Sequence, residues 1–95
     1  MNRSELERRV AERTGLGPSA AKDAVDAVFE VIAEALAGGE DARITGFGVF
    51  GTRERPARTG RNLRTGESVS IAASTAPTFK PGKALKDAVN TETGD

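Results

Sequence analysis

The chain contains neither cysteine nor histidine. Without cysteine there is no disulfide framework, no thiolate metal site and no thiol nucleophile. Without histidine the commonest metal ligand and the usual general base near neutral pH are gone. Tryptophan and tyrosine are missing as well, and the aromatic content is four phenylalanines: Phe29, Phe47, Phe50 and Phe79. No apolar run approaches the ~20 residues that cross a bilayer. The N-terminal Met-Asn-Arg-Ser-Glu-Leu-Glu is charged, unlike the apolar segment of a signal peptide. These absences read as a cytoplasmic non-enzyme with no metal, cofactor, membrane partner or small-molecule substrate. At 95 residues the chain is one domain, expected over 1–90 with a disordered tail at 91–95.

An excess of either charge is also lacking, since 14 basic and 14 acidic side chains balance. The balance hides a segregation. Residues 1–42 hold five basic and nine acidic side chains, and residues 43–95 hold nine basic and five acidic. The basic half peaks in one stretch. Arg53, Arg55, Arg58, Arg61 and Arg64 fall within twelve positions, and from Arg53 to Lys80 only Glu54 and Glu67 oppose them. Apolar residues there are few and small, so the stretch has no core of its own. A structureless loop of that length does not suit a compact domain. It reads instead as an arm over about 53–77, two extended segments joined by a turn at Asn62–Gly66. Val69, Ile71, Ala73 and Thr75 alternate with Ser68, Ser70, Ala72 and Ser74, the period of a β-ribbon. A lone ribbon is marginal in water and needs a surface to lie against. Five guanidinium groups specify a surface dense in negative charge.

The rest of the chain builds a platform. Asn2 or Ser4 caps a first helix ending near Thr14–Gly15, each with a glutamate three residues on. Gly17-Pro18-Ser19 opens a second helix, with proline in the tolerated first turn. It runs to about Ala37 and stops at Gly38-Gly39. Its apolar positions, among them Val25, Val28, Phe29, Ile32 and Leu36, cover more girth than the ~100° stripe that one core requires. That excess favours packing against a second copy, while a three-layer monomer stays open. Ala42–Thr45 is a short strand, Gly46-Phe47-Gly48 a tight turn and Val49–Thr52 the returning strand, with Phe47, Phe50 and Phe79 expected in the core. Thr78-Phe79-Lys80 is a third strand that Pro81-Gly82 breaks, and Lys83 to Val89 forms a last helix. The fold class is α+β: two leading helices, a three-stranded antiparallel sheet carrying a long ribbon, and a short C-terminal helix.

Gly46-Phe-Gly-Val-Phe-Gly51 matches the G-x-G-x-x-G of dinucleotide sites. Such a site needs its glycines to open a helix that receives the pyrophosphate. The following Thr-Arg-Glu-Arg-Pro-Ala-Arg-Thr does not read as a helix, so that reading is set aside. A second cluster carries more weight. Lys80, Lys83 and Lys86 flank the start of the last helix, where positive charge opposes the helix dipole. A phosphate at that point would relieve the conflict; a merely solubilising cluster is the plainer alternative.

Three segments together are specific: Gly46-Phe-Gly-Val-Phe50, Arg61-Asn-Leu-Arg-Thr-Gly-Glu67 and Phe79-Lys-Pro-Gly-Lys-Ala-Leu-Lys86. In this order they resemble the bacterial histone-like HU and integration host factor family, closer to HU, over essentially the whole chain. The resemblance implies an intertwined homodimer with a helical base. It also implies two arms that wrap and bend double-stranded DNA through the minor groove, with little sequence preference. HU and integration host factor are themselves known minor-groove benders, so that mechanism is carried over from the resemblance. It assigns DNA contacts to Arg53, Arg55, Arg58, Arg61, Asn62, Leu63, Arg64, Lys80, Lys83 and Lys86, with Arg3 joining them. It also places the protein on the nucleoid. Where the family usually has a proline wedge at the arm tip, this chain has Leu63, also an apolar wedge. The neutral total and Leu63 leave two alternatives: a dimer that has lost DNA bending and binds proteins, or one subunit of a heterodimer with a paralogue.

Overall fold

The structure, a computed structural model, describes residues 1–90; the expected tail at 91–95 lies outside the described residues. Asn2 rather than Ser4 caps α1 (Arg3–Thr14), its Oδ1 accepting from the Glu5 amide at 2.8 Å. Gly15, at φ 77°, ends that helix in the left-handed conformation. α2 (Pro18–Ala37) follows and packs against α1. Three strands pair antiparallel in the order β1 (Ala42–Ile44), β2 (Gly48–Arg55), β5 (Ser74–Pro81). Between β2 and β5 the chain runs out and back as a second, two-stranded ladder, β3 (Arg58–Arg61) with β4 (Ser68–Ile71). α3 (Lys83–Val89) closes the described part.

Three details depart from the sequence reading. The returning strand runs on to Arg55 and the third begins at Ser74, so the sheet reaches into the stretch expected as arm. Pro81 does not break the third strand but ends it, opposite Gly48. β5 is an edge strand, where a residue without an N–H is tolerated. The alternating run from Ser68 to Thr75 is also not one strand. β4 ends at Ile71, and Ala72-Ala73 lie unpaired opposite Pro56-Ala57. Pro56 has no N–H to give a ladder and restricts the residue before it. Pairing nevertheless resumes without a slip, from Arg55 opposite Ser74 to Arg58 opposite Ile71.

The burial is too thin for a self-sufficient chain. Among the described residues only Ala21 and Val25 are buried hydrophobic side chains. Of the other expected core residues, Ile32, Leu36 and Phe50 are half-buried, while Val28, Phe29, Phe47 and Phe79 are exposed. The surface of 7763 Å² exceeds the roughly 5,200 Å² of a folded monomer of this mass. The radius of gyration, 19.2 Å, exceeds the ~12 Å of a globule this long. Phe79 does anchor one sheet face, its ring centroid 4.7 Å from Phe50 and 5.5 Å from Phe47.

Candidate nucleic-acid interface

The ribbon is built from what it cannot bury. Side chains of Arg53, Arg55, Arg58, Arg61 and Arg64 are all exposed. Among the described residues none of them has a carboxylate within ion-pairing distance, although Glu54 and Glu67 belong to the same arm. Glu54 instead accepts a hydrogen bond from the Thr75 hydroxyl at 3.4 Å across the β2–β5 pair. Arginine presents five N–H donors in a planar fork that fits phosphate oxygens, and here all five forks are free.

The tip is a defined turn. The Asn62 amide donates to Glu67 O at 2.8 Å and the Gly66 amide to Asn62 O at 2.7 Å. Asn62 Oδ1 accepts from the Arg64 amide at 2.9 Å, which rigidifies the bend. Gly66 sits at φ 79°, a conformation that side chains resist. Leu63 rides on this turn at 93 % exposure. Asn62 thus holds the turn with its side chain.

Behind the arm, Lys80, Lys83 and Lys86 are exposed. Lys83 Nζ lies 2.7 Å from Asp87 Oδ2, one turn along α3, so its charge is partly answered within the helix. Arg3 stands apart from the arm. Its Nη2 lies 3.0 Å from Asp26 Oδ1, and its guanidinium carbon 5.0 Å from the Phe29 ring centroid, tying α1 to α2. Lys22 Nζ meets the other Asp26 oxygen at 2.7 Å. Hydrogen bonds from Lys22 and then Arg3 hold the Asp26 carboxyl below its ordinary 3.8. The stabilisation it contributes is present above that ordinary value and is lost as pH falls through the lowered one. In a carboxyl-resolved NMR titration, Arg3→Gln should move the Asp26 midpoint upward, and Lys22→Gln should move it further. An unmoved midpoint in both variants would show the two bonds to be absent in solution.

The sheet adds a basic residue that sequence reading passed over. Arg43 lies opposite Val49, which in turn lies opposite Lys80. Side chains directly opposite one another share a face, so Arg43 and Lys80 flank Val49 on the same side as Arg53 and Arg55. A lone arginine on a three-residue strand gives no periodic signal; only the pairing register reveals it. Gly46, Gly48 and Gly51 belong to a turn and to β2, and no helix opens at them, which removes the dinucleotide reading. Among the described residues there is no cluster of metal-ligating side chains, and no helix is long and apolar enough to cross a membrane.

Comparison with known proteins gives a consistent result. Residues 1–90 match the family described as Bacterial DNA-binding protein. DNA-binding protein HU of Geobacillus stearothermophilus is 57% identical over 89 residues, covering 94% of this chain and 99% of the relative. The HU of Streptococcus thermophilus is 57% identical over 88 residues, covering 93% and 97%. Among solved structures, an Anabaena HU–DNA cocrystal superposes with a TM-score of 0.86 at 39% identity, covering 94% of this chain and 97% of that one. HU from Thermotoga maritima gives 0.66 at 37% identity, covering 94% and 98%.

Proposed function

The chain belongs to the bacterial DNA-binding protein family, and on that premise we propose that it is an architectural homodimer that binds and bends double-stranded DNA with little sequence preference, compacting the nucleoid. The observation that carries this reading is the arm: five exposed arginines with, among the described residues, no carboxylate within ion-pairing distance. Such a ribbon gains its partners from a polyphosphate. Arginine also enters a narrow minor groove readily. The binding unit spans residues 1–90, and its arm arginines are joined on the backbone by Asn62, Lys80, Lys83, Lys86 and Arg3.

The dimer follows from the surface left open. Val28 is 55% and Phe29 42% exposed on α2, and Phe47 44% on the turn beside the sheet. A second copy offers the same apolar patch, and a two-fold pair covers both. That pairing would supply the core one chain lacks and would set two arms side by side.

Fluorescence anisotropy with a linear duplex at low salt tests the function directly. Saturable binding without strong sequence preference is expected. Absence of binding at low salt would favour the protein-interaction reading that the neutral total charge allows. Leu63 supplies the wedge in place of the family's usual proline. Inserted apolar side chains kink DNA by about 20–90°, so Leu63→Ala should reduce the bend by tens of degrees in a FRET assay while affinity changes little. An unchanged bend would remove insertion from the mechanism.

A further inference from the structure

The face of the three-stranded sheet opposite its phenylalanines holds a charged depression at the base of the arm. Alternation along β2 puts Val49, Gly51, Arg53 and Arg55 on one side and Phe50 on the other. Phe50 stacks with Phe79 on that other side. Arg43, Val49 and Lys80 therefore form one row across all three strands on the open side. The next row contains Gly51 opposite Thr78. Gly51 has no side chain to fill the space, and Asp41 Oδ1 stands 3.1 Å from where its Cβ would be. The result is a shallow depression of about 490 Å³, floored by Val49, Gly51 and Thr78 and rimmed by Arg43, Arg53, Lys80 and Asp41.

All four rim residues are exposed, and among the described residues none of them is engaged in an ion pair. Three cations against one carboxylate leave an electropositive seat. Arg53 lies on the rim, and Arg55 is the next outward residue on that side of β2. The seat is thus continuous with the arm's own basic track. That continuity selects a phosphate belonging to a long polymer over a free anion.

We propose that this depression seats a backbone phosphate of the duplex close to the body of the protein, with Arg43 as its principal donor and Asp41 as a counterweight that limits the affinity. The inference rests on the DNA-binding reading above and assigns Arg43 and Asp41 opposite effects within it.

Salt-series anisotropy titrations on a linear duplex, comparing wild type with Arg43→Gln, Arg43→Lys and Asp41→Asn, test it. Each phosphate contact contributes about 0.9 to the slope of log affinity against log salt, and a dimer has two such seats. Arg43→Gln should weaken binding several-fold at low salt and flatten the slope by about 2. Arg43→Lys should keep the slope, because the charge remains. Asp41→Asn should tighten binding. Melting curves of all three variants, followed by circular dichroism, should match wild type, and the lysine and asparagine variants keep the test decisive if the glutamine variant melts early. Wild-type binding with an unchanged slope in Arg43→Gln and unchanged affinity in Asp41→Asn would overturn this assignment alone. No wild-type binding would overturn the functional reading beneath it.

Discussion

Raising the salt from about 50 mM to about 200 mM is expected to weaken duplex binding by about a thousandfold. The expectation needs only six neutralised phosphates per dimer, three for each chain. Each arm alone offers five free guanidinium groups. The chain's formal charge of zero does not soften this. Counterion release depends on local contacts between cations and phosphates, whereas total charge governs long-range attraction. A protein of this kind should bind with a steep salt dependence and yet associate more slowly than a strongly basic relative. Anisotropy titrations at several salt concentrations would read the first quantity, and stopped-flow mixing of protein with labelled duplex the second. A change below about threefold over that interval would mean that fewer than one phosphate is contacted, and the arm would have to serve another partner.

The second large effect is expected at Gly48, where a single methyl group should disrupt the sheet. A Cβ at this position would stand 2.5 Å from Lys80 O and 2.7 Å from the Phe79 ring. The first obstacle is backbone on the paired strand, so β2 and β5 would have to part. The second is the ring that joins Phe47 to Phe50. Overpacking of this kind costs about 3 kcal/mol or more, a large part of the 5–15 kcal/mol that holds a typical domain. Gly48→Ala should lower the melting temperature by about 15 °C and weaken DNA binding as Lys80 is displaced. Gly60→Ala serves as the contrast. Its nearest neighbour is the Ile71 Cδ1 atom at 3.0 Å, the end of a flexible side chain that can move aside. Equal melting of the two variants in circular dichroism would contradict the assigned packing at Gly48.

Much of this architecture was legible in the residues, for reasons that differ by element. The helices were bounded by local chemistry: a cap at Asn2, a proline at Pro18, glycines at Gly15 and Gly38. The tip turn was equally local, written in Asn62 and Gly66. What stayed hidden was set by pairing between distant segments. The gap at Pro56-Ala57 and Ala72-Ala73 appears only when the two strands are laid together, though Pro56 was the available warning. Arg43 acquires its neighbours through two successive strand pairings. Phe47 and Phe79 were expected as core and are exposed in the single chain, because an apolar side chain signals burial without saying whether its own chain or a second copy supplies the cover. The family motifs carried the reading of the arm beyond what charge alone supports.

The gap in the ribbon has a mechanical meaning. Among the described residues no backbone hydrogen bond ties Pro56 and Ala57 to Ala72 and Ala73, while the ladders on either side keep the same frame. Fewer hydrogen bonds resist opening at this step than in the ladders on either side, and a bend there would leave the register of both ladders unchanged. On the proposed function, the outer ladder would tilt to follow duplexes of different local curvature, and Leu63 would keep one orientation relative to that ladder. Filling the joint with a paired Val at position 56 would turn the articulated limb into a single lever, suited to one shape of helix.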